Sequence, residues 1–250
     1  MRKIGVVVLA LIFSSAVLCG SDDLFRKARG AVGLLYAQDA AGGLTMRCSL
    51  IAYDRTLSGY VLATAAHCIG PDDTEKVRSA HGGATPFYVT FDERDSPKRF
   101  YRAGIVWVGY QHRGDDFAKL VITTTDAWSS MPLGDEAKEE DGAPIINLAS
   151  PMGLGIQSFR GIISKVVIDR PIIDEASGVN WQGAMMLQLA GVAGGSSGSP
   201  VISEKQEAVV GLVVGTIGGT TVIAMPISRF KVVDAAVKAR AYAPWVSAGN

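Results

Sequence analysis

Short apolar segments rich in Val, Ile and Thr recur along the chain, and they limit its possible folds more than any other feature. Each has the length of a strand, and Gly, Asp, Ser or Pro turn residues lie between them. The strand candidates form two sets: 31–37, 44–52, 60–64, 87–91, 100–110 and 117–123, then 145–148, 161–168, 185–189, 200–202, 208–214 and 221–225. No strand–helix alternation occurs, which argues against a parallel sheet. The pattern predicts two β-rich halves, each a barrel or a sandwich, joined near an acidic stretch at 135–141.

Helical patterns are confined to the two ends of the region that carries the strands. Residues 22–29 form a short helix candidate that ends at Gly30. Near the C-terminus, apolar residues at helical spacing follow Ser228, so a helix is expected over 228–240 with Ser228 as its N-cap. The acidic stretch at 135–141 is expected to be a solvated connection.

Composition narrows the classes of partner. The 250 residues carry 24 basic and 24 acidic side chains, and 48% of residues are hydrophobic. A globular chain with no net charge gives no indication of nucleic acid or an anionic membrane surface as a partner.

The first 20 residues have the pattern of a secretory signal peptide. Arg2 and Lys3 precede an apolar run at 4–18, and small and acidic residues follow. The run is shorter than the ~20 residues of a membrane span, so no stable membrane insertion is expected after cleavage. The mature protein is therefore predicted to be periplasmic or extracellular. A lipid anchor at Cys19 is the less favoured alternative, because the large Leu18 precedes that cysteine.

Export makes the remaining cysteines interpretable. Cys48 and Cys68 are the two cysteines outside the signal region. In an oxidising compartment such a pair is expected to form a disulfide. This disulfide would restrain His67, the neighbour of Cys68.

A run of small residues at 193–200 has the character of a nucleophile loop. Its sequence is Ala-Gly-Gly-Ser-Ser-Gly-Ser-Pro, which places three candidate serines at Ser196, Ser197 and Ser199. Glycines allow a turn on which a hydroxyl and backbone N–H groups point the same way, as a nucleophile with an oxyanion hole requires. Taken alone, the run more often indicates a plain glycine-serine turn between strands.

Histidine and aspartate candidates lie upstream of this run. His67 ends an apolar strand, where a general base can be anchored and still reach a proton. Asp116 opens the 117–123 strand, with Asp115 as the competing register. His81 and His112 lie in polar loops and are expected to be surface residues. The three histidines are scattered without HExxH spacing, so no metal site is expected.

Together, these segments resemble the trypsin-like, chymotrypsin-fold serine peptidases. Thr-Ala-Ala-His-Cys at 64–68, Asp-Phe-Ala at 116–118 and Gly-Ser-Ser-Gly-Ser-Pro at 195–200 follow in the order His, Asp, Ser. Further stretches at 132–135, 150–154, 161–164 and 224–228 are similar to the bacterial HtrA/DegP-type and glutamyl-endopeptidase branch. The resemblance covers about 31–238.

This resemblance implies a fold, an activity and a set of site residues. The fold is all-β, with two six-stranded antiparallel β-barrels and a C-terminal helix. The implied domains are a signal peptide at 1–20, an N-terminal barrel at 21–140 and a C-terminal barrel at 141–250. The activity is peptide-bond hydrolysis through an acyl-enzyme, without a cofactor, on protein or peptide substrates. Ser197 is the implied nucleophile, His67 the general base and Asp116 its orienting partner, and the N–H groups of Gly195 and Ser197 form the oxyanion hole.

By the same similarity, a substrate pocket is expected between two short stretches. Its residues are Gly191, Val192, Val213, Val214 and Gly215. No acid is present to bind Lys or Arg, and an apolar residue near Val213 replaces the histidine of glutamyl endopeptidases. A slot of glycine and valine favours small or medium apolar side chains.

The sequence also departs from its relatives. Ser196 replaces the acid that zymogen-type members carry before the nucleophile, so no cleavage-driven activation is expected. No PDZ domain is expected to follow the helix. The alternative function is a catalytically silent binding module on the same fold, and the presence of all three triad residues favours the enzyme. The oligomeric state is left open.

Overall fold

A computed structural model describes residues 16–70, 86–91, 98–170, 173–174, 179–243 and 246–247. Within these ranges the chain is mostly antiparallel strand, as the recurring apolar segments predict. Each strand candidate from the sequence overlaps a strand of one of two closed barrels.

The first barrel contains six strands: β1 (Val32–Gln38), β2 (Leu44–Thr56), β3 (Gly59–Thr64), β4 (Phe87–Thr90), β5 (Tyr101–Val108) and β6 (Ala118–Thr123). Their order is β5-β4-β1-β2-β3-β6, and pairing of β5 with β6 closes the barrel. Closure leaves no unpaired sheet edge, so alternate residues can point into one apolar core. Large side chains such as Tyr60, Leu62 and Leu120 fill that core.

The second barrel also contains six strands: β7 (Pro144–Ala149), β8 (Gln157–Lys165), β11 (Met185–Gln188), β12 (Pro200–Ser203), β13 (Ala208–Ile217) and β14 (Thr221–Pro226). Its order is β11-β14-β13-β12-β7-β8, with β8 and β11 paired. The expectation of two six-stranded antiparallel barrels is therefore confirmed. A small hairpin of β9 (Ile173–Asp174) and β10 (Val179–Asn180) lies outside the barrel, and β15 (Val246–Ser247) pairs with β5. The sequence patterns did not predict these three strands.

Two helices flank the barrels. Helix α1 (Ala16–Ala31) contains the predicted 22–29 segment and buries Leu24 and Ala28. Helix α2 (Ile227–Lys238) directly follows β14 of the second barrel but packs its Phe230 ring on side chains of the first. The Phe230 ring packs against three aromatic rings from the first barrel, those of Tyr53, Trp107 and Phe117.

Two sequence-based expectations near α2 are wrong. Ser228 is not the N-cap: the helix begins at Ile227, with Pro226 as its N-cap. The backbone N–H of Ser228 donates instead to Glu136 Oε2 at 3.1 Å, and its hydroxyl donates to the same carboxylate. The acidic stretch is also not wholly solvated, because Glu136 and Glu139 are buried. A carboxylate that accepts from the first turn of a helix satisfies N–H groups that lack intrahelical partners.

Candidate active site

His67 and Asp116 are in direct contact. The carboxylate of Asp116 accepts from the backbone N–H of His67 at 3.0 Å, and its other oxygen lies 2.7 Å from His67 Nδ1. The Asp116 side chain is only 3% exposed, whereas that of His67 is 20% exposed. Because the Asp116 carboxylate also accepts from the backbone, we assign the Nδ1 proton to the bond with Asp116, which leaves Nε2 as the acceptor when the ring is neutral.

These contacts distinguish the two candidate aspartates. Asp116, not Asp115, is hydrogen-bonded to the imidazole of His67. The carboxylate of Asp115 bonds instead to Arg229 and Tyr242.

The local fold around His67 explains why the ring is held in place. After β3, Ala65 is extended and a 3₁₀ turn (Ala66–Cys68) carries the histidine. Cys68 forms a disulfide with Cys48 on β2, as the cysteine count predicted. His67 is thus tied down by a covalent link on one side and by Asp116 on the other.

The surroundings of His67 also set its proton affinity. Burial favours the neutral ring, but the charge of Asp116 and its hydrogen bond outweigh burial and raise the pKa of His67 above its usual value. The exposed Arg47 on β2 lowers the pKa in part. His67 therefore gains a proton more readily than an isolated histidine.

The Ser197 loop is bound to the same segment of β2. The Ser49 N–H donates to the carbonyl of Ser197 at 3.0 Å, and the Ser49 hydroxyl donates to the carbonyl of Gly195 at 2.9 Å. Ser49 follows Cys48 directly in the chain. Consecutive residues of β2 thus hold the turn that carries His67 and the loop that carries Ser197, although the two belong to different barrels.

The three candidate serines differ in their surroundings. Ser196 is buried and its Oγ accepts from the Ala193 N–H at 3.3 Å. Ser199 is buried and its Oγ accepts from Asn147 at 2.8 Å. Ser197 is half-buried. Ser197 is therefore the one of these three serines that is accessible to solvent.

Two glycines in the left-handed region shape the backbone of the Ser197 loop. Gly195 has φ +92° and Gly198 has φ +77°, so the backbone takes a course that residues with side chains rarely adopt. Among the described residues, no oxygen accepts from the N–H groups of Gly195 and Ser197. Two such N–H groups, on a loop whose carbonyls are bound by Ser49, are of the kind that can bind a developing oxyanion.

The expected pocket residues lie next to this loop. Val213 on β13 accepts from the Gly198 N–H at 2.7 Å and donates to the Ser199 carbonyl at 2.9 Å. Val192 and Val213 are buried in the apolar cluster of the second barrel, and Val214 is also buried. Gly191 is exposed and Gly215 is half-buried.

Two aromatic residues beside these glycines were not predicted from the sequence. A Cβ built at Gly215 would lie 3.1 Å from the Trp181 ring, and one at Gly191 would lie 2.7 Å from the Phe159 ring. Trp181 follows the small β9–β10 hairpin, and no sequence pattern relates it to residue 215.

The chain contains two further histidines, and His67 itself belongs to a group of potential metal ligands. His112 lies in a 3₁₀ turn (Gln111–Arg113), and His81 lies outside the described residues. Within the described part of the chain, one group of potential metal ligands is close together, namely Cys48, His67 and Cys68. Its two sulfur atoms are joined in the disulfide and are not available as thiolates.

Comparison with known proteins identifies the family. A family model described as the trypsin-like peptidase domain matches residues 48–212. The chain belongs to the trypsin-like peptidase family. The matched segment contains His67, Asp116 and Ser197. No curated protein sequence matches the chain.

Solved structures agree with the fold. Deg5 is 19% identical over 89% of this chain and 96% of its own, with a TM-score of 0.65. A variant of the HtrA-type protease AlgW, solved with a decapeptide, is 16% identical over 88% of this chain and 67% of its own, with a TM-score of 0.62. Both resemble this trypsin-like peptidase in fold, as the HtrA-type sequence motifs predicted.

Glycine at position 198 is a testable requirement of the site. A Cβ there would lie 2.1 Å from Thr64 Oγ1 and 2.5 Å from the Ser49 carbonyl oxygen, and φ is already positive. Gly198→Ala is expected to lower the free energy of unfolding by ~1–3 kcal/mol, measured by urea denaturation.

Gly194→Ala is the matched control in the same loop. No atom lies within 4 Å of a Cβ at Gly194. Its unfolding midpoint should stay close to that of the wild type. Equal stability of the two variants would show that the loop does not pack against Thr64 and Ser49 as described.

Proposed function

We propose that this chain is an exported serine endopeptidase that cleaves peptide bonds through Ser197, His67 and Asp116. The observation that carries the proposal is the His67–Asp116 pair, joined by two hydrogen bonds, whose turn is linked through the Cys48–Cys68 disulfide to the β2 segment that binds the Ser197 loop. Membership of the trypsin-like peptidase family supports the reaction class.

The geometry suggests how each group acts. His67 Nε2 takes the proton of the Ser197 hydroxyl as the serine oxygen attacks the substrate carbonyl. Asp116 keeps the Nδ1 proton in place and stabilises the imidazolium that forms. The N–H groups of Gly195 and Ser197 bind the oxyanion, and each such donor typically contributes ~3 kcal/mol to transition-state stabilisation.

The first half of the reaction is completed when His67 changes from base to acid. The imidazolium of His67 gives its proton to the leaving amine, and an acyl-enzyme remains on Ser197. A water molecule then attacks the ester while His67 again accepts a proton. His67 gives this proton to the Ser197 oxygen as the ester bond breaks and the carboxylic acid leaves, so the cycle ends with free Ser197 and requires no cofactor.

Export and readiness for catalysis are part of the same proposal. The apolar run at 4–18 supports export. Separately, no helix in the described part of the chain is long and apolar enough to cross a membrane. Ser196, buried and bonded to the Ala193 N–H, takes the place of the acid used in zymogen activation. The chain is therefore proposed to be active once the signal peptide is removed. A form that lacks only this segment and stays inert until further trimming would contradict that proposal.

A fluorophosphonate probe tests the nucleophile. The chain from Ser21 onward should be labelled once per molecule, because the probe phosphonylates an activated serine. Ser197→Ala should lose the label entirely. Ser196→Ala and Ser199→Ala are the controls and should keep it, because these side chains are buried away from a reagent.

The labelling pattern separates the alternatives. A label that persists in Ser197→Ala would exclude Ser197 as the nucleophile. Absence of label in the wild type would favour the silent binding module. Intact-mass measurement distinguishes these results directly.

The pocket supports a preference for small or medium apolar side chains at the cleaved bond. The residues that we assign to it are glycine and valine, with Trp181 against Gly215, and none of these carries a charge that would attract Lys, Arg or Glu. Digestion of a peptide library is expected to enrich cleavage after residues such as Ala and Val. Dominant cleavage after Lys, Arg or Glu would contradict this assignment of the pocket.

A further inference from the structure

The two chain neighbours of Asp116 are both held by helix α2. Asp115 is buried, and its Oδ1 accepts from Arg229 Nε at 2.8 Å. Phe117 is fully buried, and its ring meets the Phe230 ring edge-on, with centroids 5.6 Å apart. Consecutive residues of one helix therefore hold the residues on either side of the aspartate that orients His67.

The loop that carries Asp116 has little freedom of its own. The Asp115 N–H donates to the Tyr110 carbonyl at 2.9 Å, and the Gly109 N–H donates to the Phe117 carbonyl at 2.8 Å. A Cβ at Gly109 would lie 2.2 Å from the Asp115 carbonyl oxygen, so the turn is tightly packed. A small displacement of Asp115 must therefore be passed on to Asp116.

Arg229 makes more than one bond to this loop. Its Nε bonds to the Asp115 carboxylate, and its Nη2 donates to the Arg113 carbonyl at 2.8 Å. The hydroxyl of Tyr242, beyond the end of α2, donates to Asp115 Oδ2 at 3.1 Å. Only a planar guanidinium can supply the two donors of Arg229 in this fixed arrangement, and a lysine cannot.

Helix α2 is itself anchored to the strands on both sides of the loop. The carboxylate of Asp234 accepts from Trp107 Nε1 on β5 at 2.9 Å and from Lys119 Nζ on β6 at 2.8 Å. Strand β5 precedes the Asp116 loop and β6 follows it. The helix is therefore a fixed support for Arg229.

We propose that Arg229 is a positioning residue for catalysis: by binding Asp115, it sets the position of Asp116 and so of the His67 ring. The catalytic consequence rests on the proposed peptidase function. The effect on the His67–Asp116 pair does not, because it can be measured without substrate.

The charges around Asp115 determine which variants are informative. Arg229 and Tyr242 face its carboxylate, and the exposed Arg113 side chain lies over the Tyr110 ring, with 4.3 Å to the centroid. Removal of Arg229 alone would leave an unpaired negative charge at Asp115, which by itself would raise the pKa of His67 and hide a loss of positioning. The double variant Asp115→Asn/Arg229→Gln removes both charges and the contact together.

Two further variants complete the design. Arg229→Lys keeps the charge but loses the paired donors. Lys231→Gln is the control, because Lys231 lies on the same helix and donates to carbonyls of another loop, at Leu133 (3.3 Å) and Gly134 (2.5 Å).

The experiment follows two quantities in each protein. The pKa of His67 is measured by NMR titration of its ring, and kcat/KM is measured with a fluorogenic peptide well below the unfolding temperature. In Asp115→Asn/Arg229→Gln we expect the pKa of His67 to fall and kcat/KM to fall by ~10- to 100-fold, as for a small misplacement of catalytic groups. Arg229→Lys should show the same direction with a smaller change, and Lys231→Gln should match the wild type.

The outcomes are distinct. A double variant that is less stable but keeps the wild-type pKa of His67 would show that Arg229 is merely structural and would overturn the inference. If the double variant does not fold, Arg229→Lys decides by the same two measurements. A wild-type chain without peptidase activity would refute the proposed function, whereas the NMR titration would still establish or refute the link from Arg229 to His67.

Discussion

The candidate site depends on two consecutive residues of β2, Cys48 and Ser49. Cys48 is bonded to Cys68 and so fixes the turn that presents His67. Ser49 binds the carbonyls of Gly195 and Ser197 and so fixes the loop from the other barrel. Closing the loop between residues 48 and 68 stabilises the fold by ~3 kcal/mol on the chain-entropy account. Groups in two barrels are thus placed relative to one short backbone segment.

Helix α2 completes the arrangement from the opposite direction. It leaves the second barrel at β14 and lies on the first, where Phe230 meets aromatic side chains of its core. Glu136, from the connection between the barrels, bonds to Ser228 in its first turn. The Asp116 loop is therefore supported by an element from the second barrel, just as the Ser197 loop is supported by Ser49 of the first. Each barrel or its following helix therefore supports a loop of the other barrel.

The sequence predicted the barrels because their strands are separate, strongly apolar and bounded by turn residues, so local pattern and tertiary structure agree. It also predicted the Cys48–Cys68 disulfide. The predicted signal peptide contains Cys19, so only one pairing of the other cysteines was possible. It did not resolve Asp115 from Asp116, because both carboxylates can start a strand and only the three-dimensional contacts separate them. Likewise, the burial of Glu136, its bond to Ser228 and the position of Trp181 against Gly215 arise from residues far apart in the chain, which no local pattern encodes.

If Ser197, His67 and Asp116 form a working triad, the reaction passes through an acyl-enzyme on Ser197. Pre-steady-state hydrolysis of a p-nitrophenyl ester tests it most directly, followed over a range of pH. Because acylation of Ser197 releases the nitrophenolate before water attacks the acyl-enzyme, a burst of one nitrophenolate per chain is predicted. His67 must be neutral to act as a base, and its pKa is raised. The burst rate should increase with pH through an ionisation above the usual histidine value of about 6.5. Hydrolysis without a burst, or a burst rate that shows no such ionisation, would contradict the account.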